Sequence, residues 1–117
     1  MSNTVSIHPY FKVHAGKMDA ARAILATFIE CTRPETACLY YEFTVNGDTV
    51  FCREAYTSAA GVLTHLTNVS QPLGEMLKIS ELVRLELHGP AAELDQLRAP
   101  LAELPVQWFV YETGLVK

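Results

Sequence analysis

The sequence predicts one α+β domain, in which an antiparallel β-sheet carries helices on one of its faces. The chain has 117 residues, which is the usual size of a single domain. Segments with a two-residue apolar period alternate with amphipathic helical segments in the order β-α-β-β-α-β, followed by α-β. An Asn-Gly pair between two strand-like segments marks a β-hairpin. The first six elements are the split βαβ arrangement of ferredoxin-like folds.

The N-terminal third predicts a strand followed by a helix. Apolar and polar side chains alternate over residues 5–14, which is typical of a strand with one apolar face. Pro9 cannot donate a ladder hydrogen bond, so we expect a sheet edge or a bulge at this point. A turn at residues 15–17 leads into a helix over residues 18–32, whose apolar side chains recur at helical spacing. Pro34 ends this helix, because the residue before a proline disfavours helical backbone.

A β-hairpin is predicted in the middle of the chain. Residues 38–45 and 49–57 are both rich in β-branched and aromatic side chains, which favour strands. The loop between them contains Asn46 and Gly47. Because both residue types tolerate positive φ, this pair is a strong hairpin signal.

A second helical region follows the hairpin. Ser58 is a suitable N-cap for a helix that runs to about Leu66. We expect a break in the helix over residues 68–72 and a further short helical piece over residues 73–77.

The fourth strand is predicted over residues 80–88. Its side chains alternate between an apolar and a polar face, although Leu82 is out of phase with the others. The two faces are Val83, Leu85 and Leu87 on one side and Arg84, Glu86 and His88 on the other.

Residues 89–117 predict an added helix and strand. Pro90 is expected at the first position of the helix. An apolar stripe follows at helical spacing and is interrupted by Pro100; it consists of Leu94, Leu97, Leu101 and Leu104. Residues 106–111 then predict the last strand.

The composition excludes several kinds of partner. The formal net charge is −4, which argues against nucleic acid and against anionic membranes. No apolar run is long enough for a transmembrane helix, and the N-terminus lacks the pattern of a secretory signal.

The three cysteines, Cys31, Cys38 and Cys52, cannot all pair within the chain and form no CxxC motif. We therefore expect reduced thiols in a cytoplasmic protein.

The predicted sheet needs a second covering layer. Helices cover only one face in the split βαβ arrangement, yet these strands carry apolar and aromatic side chains on both faces. In a chain of this size the simplest second layer is another copy of the chain. The pattern therefore predicts a homodimer that packs sheet against sheet.

Several short segments carry a resemblance to a known family. They are Leu39-Tyr40-Tyr41-Glu42, Asn46-Gly47-Asp48, Arg53-Glu54-Ala55-Tyr56 and His65 in the next helix. This pattern resembles the antibiotic biosynthesis monooxygenase-like family of dimeric α+β barrels. Ala15-Gly16-Lys17 is similar to the family's Pro-Gly-Lys turn, and the segment 33–38 to its Glu-Pro-Gly-Cys segment, with Ala37 where the family has Gly. The resemblance covers about residues 5–88, and residues 89–117 are an extension.

The resemblance implies a range of chemistry, because the family includes cofactor-free oxygenases, haem-degrading enzymes, isomerases and members without known activity. Haem degradation is disfavoured, since the only tryptophan, Trp108, lies in the extension. No glycine-rich nucleotide motif and no clustered metal ligands occur, so we expect no cofactor and no metal. The favoured function is a cofactor-independent monooxygenase that acts on a small aromatic or quinol-like compound. An isomerase or lyase of a small carbonyl compound and a non-enzymatic ligand-binding dimer remain as alternatives.

Three residues are the candidate catalytic set. His65 can exchange a proton near neutral pH, and the family often has a histidine at this place; its structural alternative is packing at a helix edge. Glu54 lies in the middle of a strand, where it is either a base or orienting group for His65 or a buried hydrogen-bond partner. Tyr41 points to the opposite sheet face from Tyr40 and either binds a phenol or carbonyl group of a substrate or fills the layer.

Three further residues are candidates for substrate binding. His8 and Tyr10 share the more polar face of the first strand, and Arg84 lies on the polar face of the fourth strand. If those faces line the inside of the dimer, they supply hydrogen-bond donors and a titratable ring. The structural alternative is a salt-bridged interface or a solvated sheet edge.

Overall fold

The computed structural model describes residues 2–117 and contains the predicted elements in the predicted order. The bounds are β1 Val5–Val13, α1 Met18–Thr32, β2 Cys38–Asn46, β3 Thr49–Tyr56, α2 Ala59–Asn68, α3 Ser70–Ile79, β4 Ser80–Gly89, α4 Ala91–Arg98 and β5 Val106–Val110. None of the helices within the described residues is long and apolar enough to cross a membrane.

The strands form one sheet in the order β2-β3-β1-β4-β5. β1 pairs antiparallel with β3 and β4, and β2 pairs antiparallel with β3. These four strands, together with the helices, confirm the α+β split βαβ arrangement. The C-terminal extension adds α4 and places β5 parallel to β4; the antiparallel sheet predicted for the split βαβ arrangement is formed by the first four strands.

Pro9 lies in the centre of the sheet. The prediction of an edge at this position is wrong, because β1 is flanked by β3 and β4. The expected irregularity is present instead: the ladder to β3 passes from Ile7 opposite Glu54 directly to Tyr10 opposite Phe51. The missing N–H of a proline accounts for this gap. A register shift follows on the β4 side, between Tyr10 and Phe11.

That register shift reverses one assignment in β4. Val83 was expected on the apolar face, but its side chain is 51% exposed. Tyr10 pairs with Arg84 and Phe11 with Leu82, so Val83 is the extra residue of a β-bulge. The bulge explains why Leu82 is out of phase in the sequence, since it turns Leu82 towards the core.

The turns and helix ends differ from the predictions in detail. Gly47 alone has positive φ in the hairpin loop, at 61°, whereas Asn46 does not. The break after α2 is confined to Val69. Ser58 is the N-cap of α2 without a side-chain bond, and the N–H of Ala59 donates to Glu93 of α4 instead. Pro90 is the N-cap of α4 with extended backbone, not its first helical residue.

The helices bury the apolar side of the sheet in two clusters. One cluster includes Tyr56, Val62 and Leu87, and the other includes Phe11 and Phe28. The opposite side of the sheet carries no helix and exposes large side chains such as Tyr40 and Phe109. The sheet therefore has one face covered by helices and one open face.

Candidate active site

Strand β3 directs a row of polar side chains into the covered face. Cys52, Glu54 and Tyr56 point to the same side because side chains alternate along a strand, and all three are buried. The hydroxyl of Tyr56 donates to Oε1 of Glu54 at 2.6 Å. A carboxyl group is thus held in the middle of a sheet, beneath the helices.

His65 of α2 lies directly over this carboxyl group. Its residue exposure is 2%, and its Nε2 is 3.4 Å from Oε1 of Glu54. Its other ring nitrogen, Nδ1, is 3.1 and 3.2 Å from the two carboxylate oxygens of Glu35. Because a carboxylate can only accept, Nδ1 carries a proton and donates it to Glu35. The side chains of both glutamates are also buried, at 3% and 5% exposure.

Glu35 belongs to the loop between α1 and β2, and close packing holds this loop against α2. The N–H of Thr57 donates to the carbonyl of Ala37. A Cβ added to Gly61 of α2 would lie 2.9 Å from Cβ of Ala37, so only glycine permits this approach. Ala37 itself keeps negative φ. The Nδ2 of Asn68 donates to Oε2 of Glu35 at 3.1 Å.

The sequence reasoning did not identify Glu35 as a site residue. It falls in the segment 33–38 that carried part of the family resemblance, but a carboxylate in a polar loop has no periodicity that would separate it from a solvated residue. A contact across 30 residues becomes visible only in three dimensions.

Burial sets the protonation of this group of side chains. Desolvation raises the pKa of Glu54 to about 7, although hydrogen bonds from Tyr56 and Cys52 oppose the rise. Desolvation lowers the pKa of His65, and the nearby Glu35 opposes that change. At neutral pH, a substantial fraction of Glu54 is therefore protonated while His65 is neutral. With Nδ1 protonated, the lone pair of His65 is on Nε2.

Tyr41 forms a wall beside the imidazole. Its ring centroid is 5.0 Å from that of His65, in an edge-on arrangement. Burial and the neighbouring Glu54 raise the pKa of the Tyr41 phenol, so this side chain stays neutral and can serve as a hydrogen-bond donor. The structure thus brings all three candidate catalytic residues, His65, Glu54 and Tyr41, to one place.

A cavity of about 80 Å³ opens beside these residues, between the sheet and the helices. Its polar lining consists of Tyr41, Cys52, Glu54 and His65. All its other lining residues are apolar; they are Ile7, Pro9, Phe11, Phe28, Phe43, Leu66, Val69, Leu73, Leu77, Leu82, Leu85 and Leu104. No group of three or more His, Cys, Asp or Glu side chains is arranged to hold a metal ion within residues 2–117.

A second, more open cleft of about 250 Å³ lies on the outer side of Glu35. It is lined by Ile29, Thr32, Arg33, Glu35, Cys38 and Tyr41. Tyr41 lines both spaces, whereas Glu35 lines only the outer cleft and Glu54 and His65 line only the inner cavity. The Glu35–His65–Glu54 group therefore extends from one space to the other.

The three candidate substrate-binding residues lie elsewhere. His8, Tyr10 and Arg84 are on the open face of the sheet, where the ring of His8 packs edge-on against His88 with centroids 4.6 Å apart. Tyr10 packs against Phe51, and Arg84 pairs with Glu86. None of them lines the cavity beside His65. Their role in substrate binding stays a prediction, and it requires a site on the open face.

Comparison with solved structures identifies one close relative. MupZ from Pseudomonas fluorescens is 41% identical in sequence, with a TM-score of 0.94, over 98% of this chain and 95% of that chain. This likeness includes the C-terminal extension. No family model and no curated protein sequence matches the chain.

More distant structures share the fold of the core. Rv0793 from Mycobacterium tuberculosis is 21% identical, with a TM-score of 0.66, over 74% of this chain and 94% of its own. A Caulobacter crescentus protein proposed to be an antibiotic biosynthesis monooxygenase is 15% identical, with a TM-score of 0.67, over 74% of this chain and 88% of its own. At these identities the likeness concerns the fold alone.

Proposed function

Because this chain belongs to the antibiotic biosynthesis monooxygenase-like family, we propose that it is a cofactor-independent enzyme that removes a proton from a small, largely apolar substrate. One observation carries the proposal: the buried Glu35–His65–Glu54 group ends at the polar side of an otherwise apolar cavity. Buried ionisable groups with shifted pKa values in a cavity are typical of catalytic sites.

The base in this proposal is Nε2 of His65. The hydrogen bond from Nδ1 to Glu35 fixes the tautomer that leaves the Nε2 lone pair free. The same carboxylate stabilises the imidazolium that forms when Nε2 takes a proton, as the aspartate does in a Ser-His-Asp triad. Burial lowers the pKa of His65, so the free base predominates at neutral pH.

Glu54 and Tyr41 act on the substrate oxygen. The protonated carboxyl group of Glu54 and the phenol of Tyr41 both line the cavity and can donate hydrogen bonds to a substrate carbonyl or hydroxyl. Donors directed at the atom where negative charge develops lower the barrier to deprotonation. Glu54 is thus the acid and His65 the base of one site.

The proposed reaction is the oxygenation of an aromatic or quinol-like compound. His65 takes a proton, and the resulting anion gives an electron to O₂. The two radicals combine to form a peroxide, whose O–O bond then breaks. The substrate loses two hydrogens and gains one oxygen atom as a carbonyl. The second oxygen leaves as water with those two hydrogens, one of them returned by His65, so no further reductant is required.

The lining of the cavity supports an uncharged substrate. No lysine or arginine lines the cavity, and an anionic substrate group would lie beside the buried carboxyl group of Glu54 at a cost in desolvation. Phe11, Phe28 and Phe43 offer apolar and aromatic surface for the body of the substrate. Glu54 and Tyr41 can form hydrogen bonds to the reacting oxygen of the substrate, and the remaining lining suits an apolar body.

An isomerase or lyase is the second candidate, and the raised pKa of Glu54 favours it. Moving a proton within a carbonyl compound requires an acid and a base at the same time, and Glu54 and His65 provide both. A mere binding protein has no need for this arrangement, since burying ionisable side chains costs stability.

We further propose that the chain forms a homodimer through the open face of its sheet. The open face carries aromatic side chains in contact, including His88 stacked on Phe109 with centroids 4.5 Å apart, and Tyr10 on Phe51. Contacting aromatic side chains form a contiguous apolar patch, whereas a monomer usually exposes apolar side chains singly. Two copies that pack these faces together would leave the cavities on the outer sides of the dimer.

Oxygen uptake tests the proposed reaction. The purified protein is incubated without added cofactor with a panel of quinols and polyphenols, and O₂ consumption is compared with autoxidation. Uptake above autoxidation that is lost in His65→Ala supports the oxygenase. Conversion of a carbonyl substrate without O₂ consumption, likewise lost in His65→Ala, supports the isomerase or lyase. Turnover that survives His65→Ala contradicts both.

A further inference from the structure

We infer that Glu35 is the outer end of a proton relay, through which the proton taken up by His65 comes into exchange with water in the outer cleft. Its part in turnover rests on the proposed function, whereas the relay itself is a property of the substrate-free protein. In this scheme Glu35 is a positioning and relay residue that does not touch the substrate.

The first support is the bridging position of the imidazole. Nε2 of His65 faces Glu54 and the inner cavity, and Nδ1 faces Glu35. The two ring nitrogens therefore face the two carboxyl groups on opposite sides of the imidazole. A proton that arrives at Nε2 makes the ring an imidazolium, and the proton on Nδ1 can then move to a carboxylate oxygen 3.1 Å away. The C–H or O–H bond of the substrate breaks as the N–H bond at Nε2 forms. The N–H bond at Nδ1 then breaks as an O–H bond forms on Glu35, so two bonds break, two bonds form and no electron is transferred.

The second support is that the two ends of the group open into different spaces. The inner cavity is apolar apart from its polar end, whereas the outer cleft carries Thr32, Arg33 and Glu35 and is about three times larger. Water is stable in a polar, open cleft and is disfavoured in an apolar cavity. The Glu35 side chain is only 3% exposed, but Glu35 lines the cleft, so a proton on its carboxyl group can pass to water there without water entering the space for the substrate.

The third support is electrostatic. Transfer from the substrate through His65 to Glu35 leaves the total charge of substrate and protein unchanged, and it separates the proton from the substrate anion. This separation matters because the anion must react with O₂, or rearrange, before the proton returns. The other ionisable side chains that face His65 are Tyr41 and Tyr56, and both have a raised pKa.

Proton exchange of the His65 ring with water tests the relay without any substrate. In ¹⁵N-labelled protein, the exchange rate of the Nδ1 proton is measured by magnetisation transfer from water. Glu35→Gln can keep the hydrogen bond, since its carbonyl oxygen can replace Oε2, but it cannot take up a proton. We expect exchange about a hundredfold slower in this variant, the lower end of the range for losing an acid–base group. Glu30→Gln, an exposed carboxylate of α1, is the matched control and should exchange like wild type.

Chemical rescue tests the route through the outer cleft. In Glu35→Ala the cleft gains the space of the lost carboxylate, so added formate should restore ring exchange there and have little effect on the wild type. Exchange in Glu35→Gln as fast as in wild type would overturn the relay, and slow exchange without rescue by formate would overturn the route through the cleft. If Glu35→Ala does not fold, the comparison of Glu35→Gln with Glu30→Gln decides alone. Because no turnover is measured, inactivity on every substrate contradicts the proposed function and leaves this result standing.

Discussion

Nδ1 of His65 lies within 3.2 Å of both carboxylate oxygens of Glu35, a residue 30 positions earlier in the chain. Both side chains are almost completely buried. The loop after α1 and the helix after β3 are thereby tied together between the inner cavity and the outer cleft. This contact orients the histidine and keeps Nε2 available towards Glu54.

Removing the carboxylate should destabilise the protein. In Glu35→Ala the buried Nδ1–H of His65 loses its acceptor, and an unsatisfied buried donor costs about 1–3 kcal/mol. Glu35→Gln should lose less, because an amide oxygen can accept the same bond. Urea unfolding at pH 7 measures both losses. Glu30→Ala removes an exposed partner of Arg33 and should leave the midpoint almost unchanged; an equal loss in this control would show that Glu35 acts only through surface charge.

The pH dependence of stability should reveal the raised pKa of Glu54. The folded state holds this proton more tightly than the unfolded state, whose pKa is near the ordinary value of 4.5. The contribution of the Glu54 proton to the free energy of unfolding is fully present below about pH 4.5 and is lost as pH rises through about 7. As pH rises from about 4.5 to about 7, the free energy of unfolding of Glu54→Gln should therefore increase by about 3 kcal/mol relative to that of wild type.

Urea unfolding of wild type and Glu54→Gln at several pH values from 4.5 to 8 checks this prediction. Because His65 is present in both proteins, its own titration cancels to first order in the difference. A difference in free energy of unfolding that stays constant with pH would show that Glu54 keeps an ordinary pKa in the folded protein.

The approach of α2 to the loop that holds Glu35 should depend on Gly61. Gly61→Ala places a methyl group 2.9 Å from Cβ of Ala37, which is closer than two carbon atoms tolerate, and overpacking of this kind costs about 1–3 kcal/mol. The double variant with Ala37→Gly removes the opposing methyl group and should recover part of the loss, because Cβ of Tyr56 remains 3.2 Å from the added atom. Thermal and urea unfolding of Gly61→Ala, Ala37→Gly and the double variant measure the coupling. Gly74→Ala, where nothing lies within 4 Å of the added atom, should be neutral or stabilising.

The order of the elements could be predicted from the sequence because each element carries its own local pattern. The period of two in β1, the helical stripe of α1 and the Asn-Gly loop are properties of adjacent residues. Val83 was placed on the wrong face because a bulge belongs to a pair of strands, and only the shift against Tyr10 and Phe11 reveals it.

The candidate site could be predicted only in part. Glu54 and Tyr41 lie on strands whose alternation fixes their face, and His65 lies beside an apolar helical stripe, so their approach follows from the fold. Glu35 lies in a loop, where neither period nor composition distinguishes a buried carboxylate from a solvated one. His8 was assigned to a polar strand face without knowledge of which face carries the cavity, and the cavity beside His65 lies on the other one.

The open face of the sheet should support a dimer that one substitution can dissociate. Tyr40 lies on this face and is 45% exposed, so Tyr40→Glu would bury a charge at the interface at little cost to the isolated chain. Sedimentation should give twice the chain mass of 13.0 kDa for wild type and the single mass for the variant. Leu115→Glu, in the exposed C-terminal tail, is the control and should remain dimeric. A wild-type protein that sediments as a monomer contradicts the sheet-to-sheet dimer.

The pH dependence of turnover should identify the acid and the base separately. His65 must be neutral to take a proton, so kcat/KM should fall as pH drops through a value below the ordinary pKa of 6.5. Glu54 must be protonated to donate a hydrogen bond, so activity should also fall as pH rises above about 7. The profile is therefore a bell, measured as O₂ uptake or product formation on the substrate found by screening. Glu54→Gln keeps a donor that does not titrate, so it should retain activity and remove the alkaline limb while the acidic limb remains. His14→Gln, an exposed histidine at the end of β1, is the control and should keep both limbs. An alkaline limb that persists in Glu54→Gln would assign the acid to another group and leave Glu54 with a structural role.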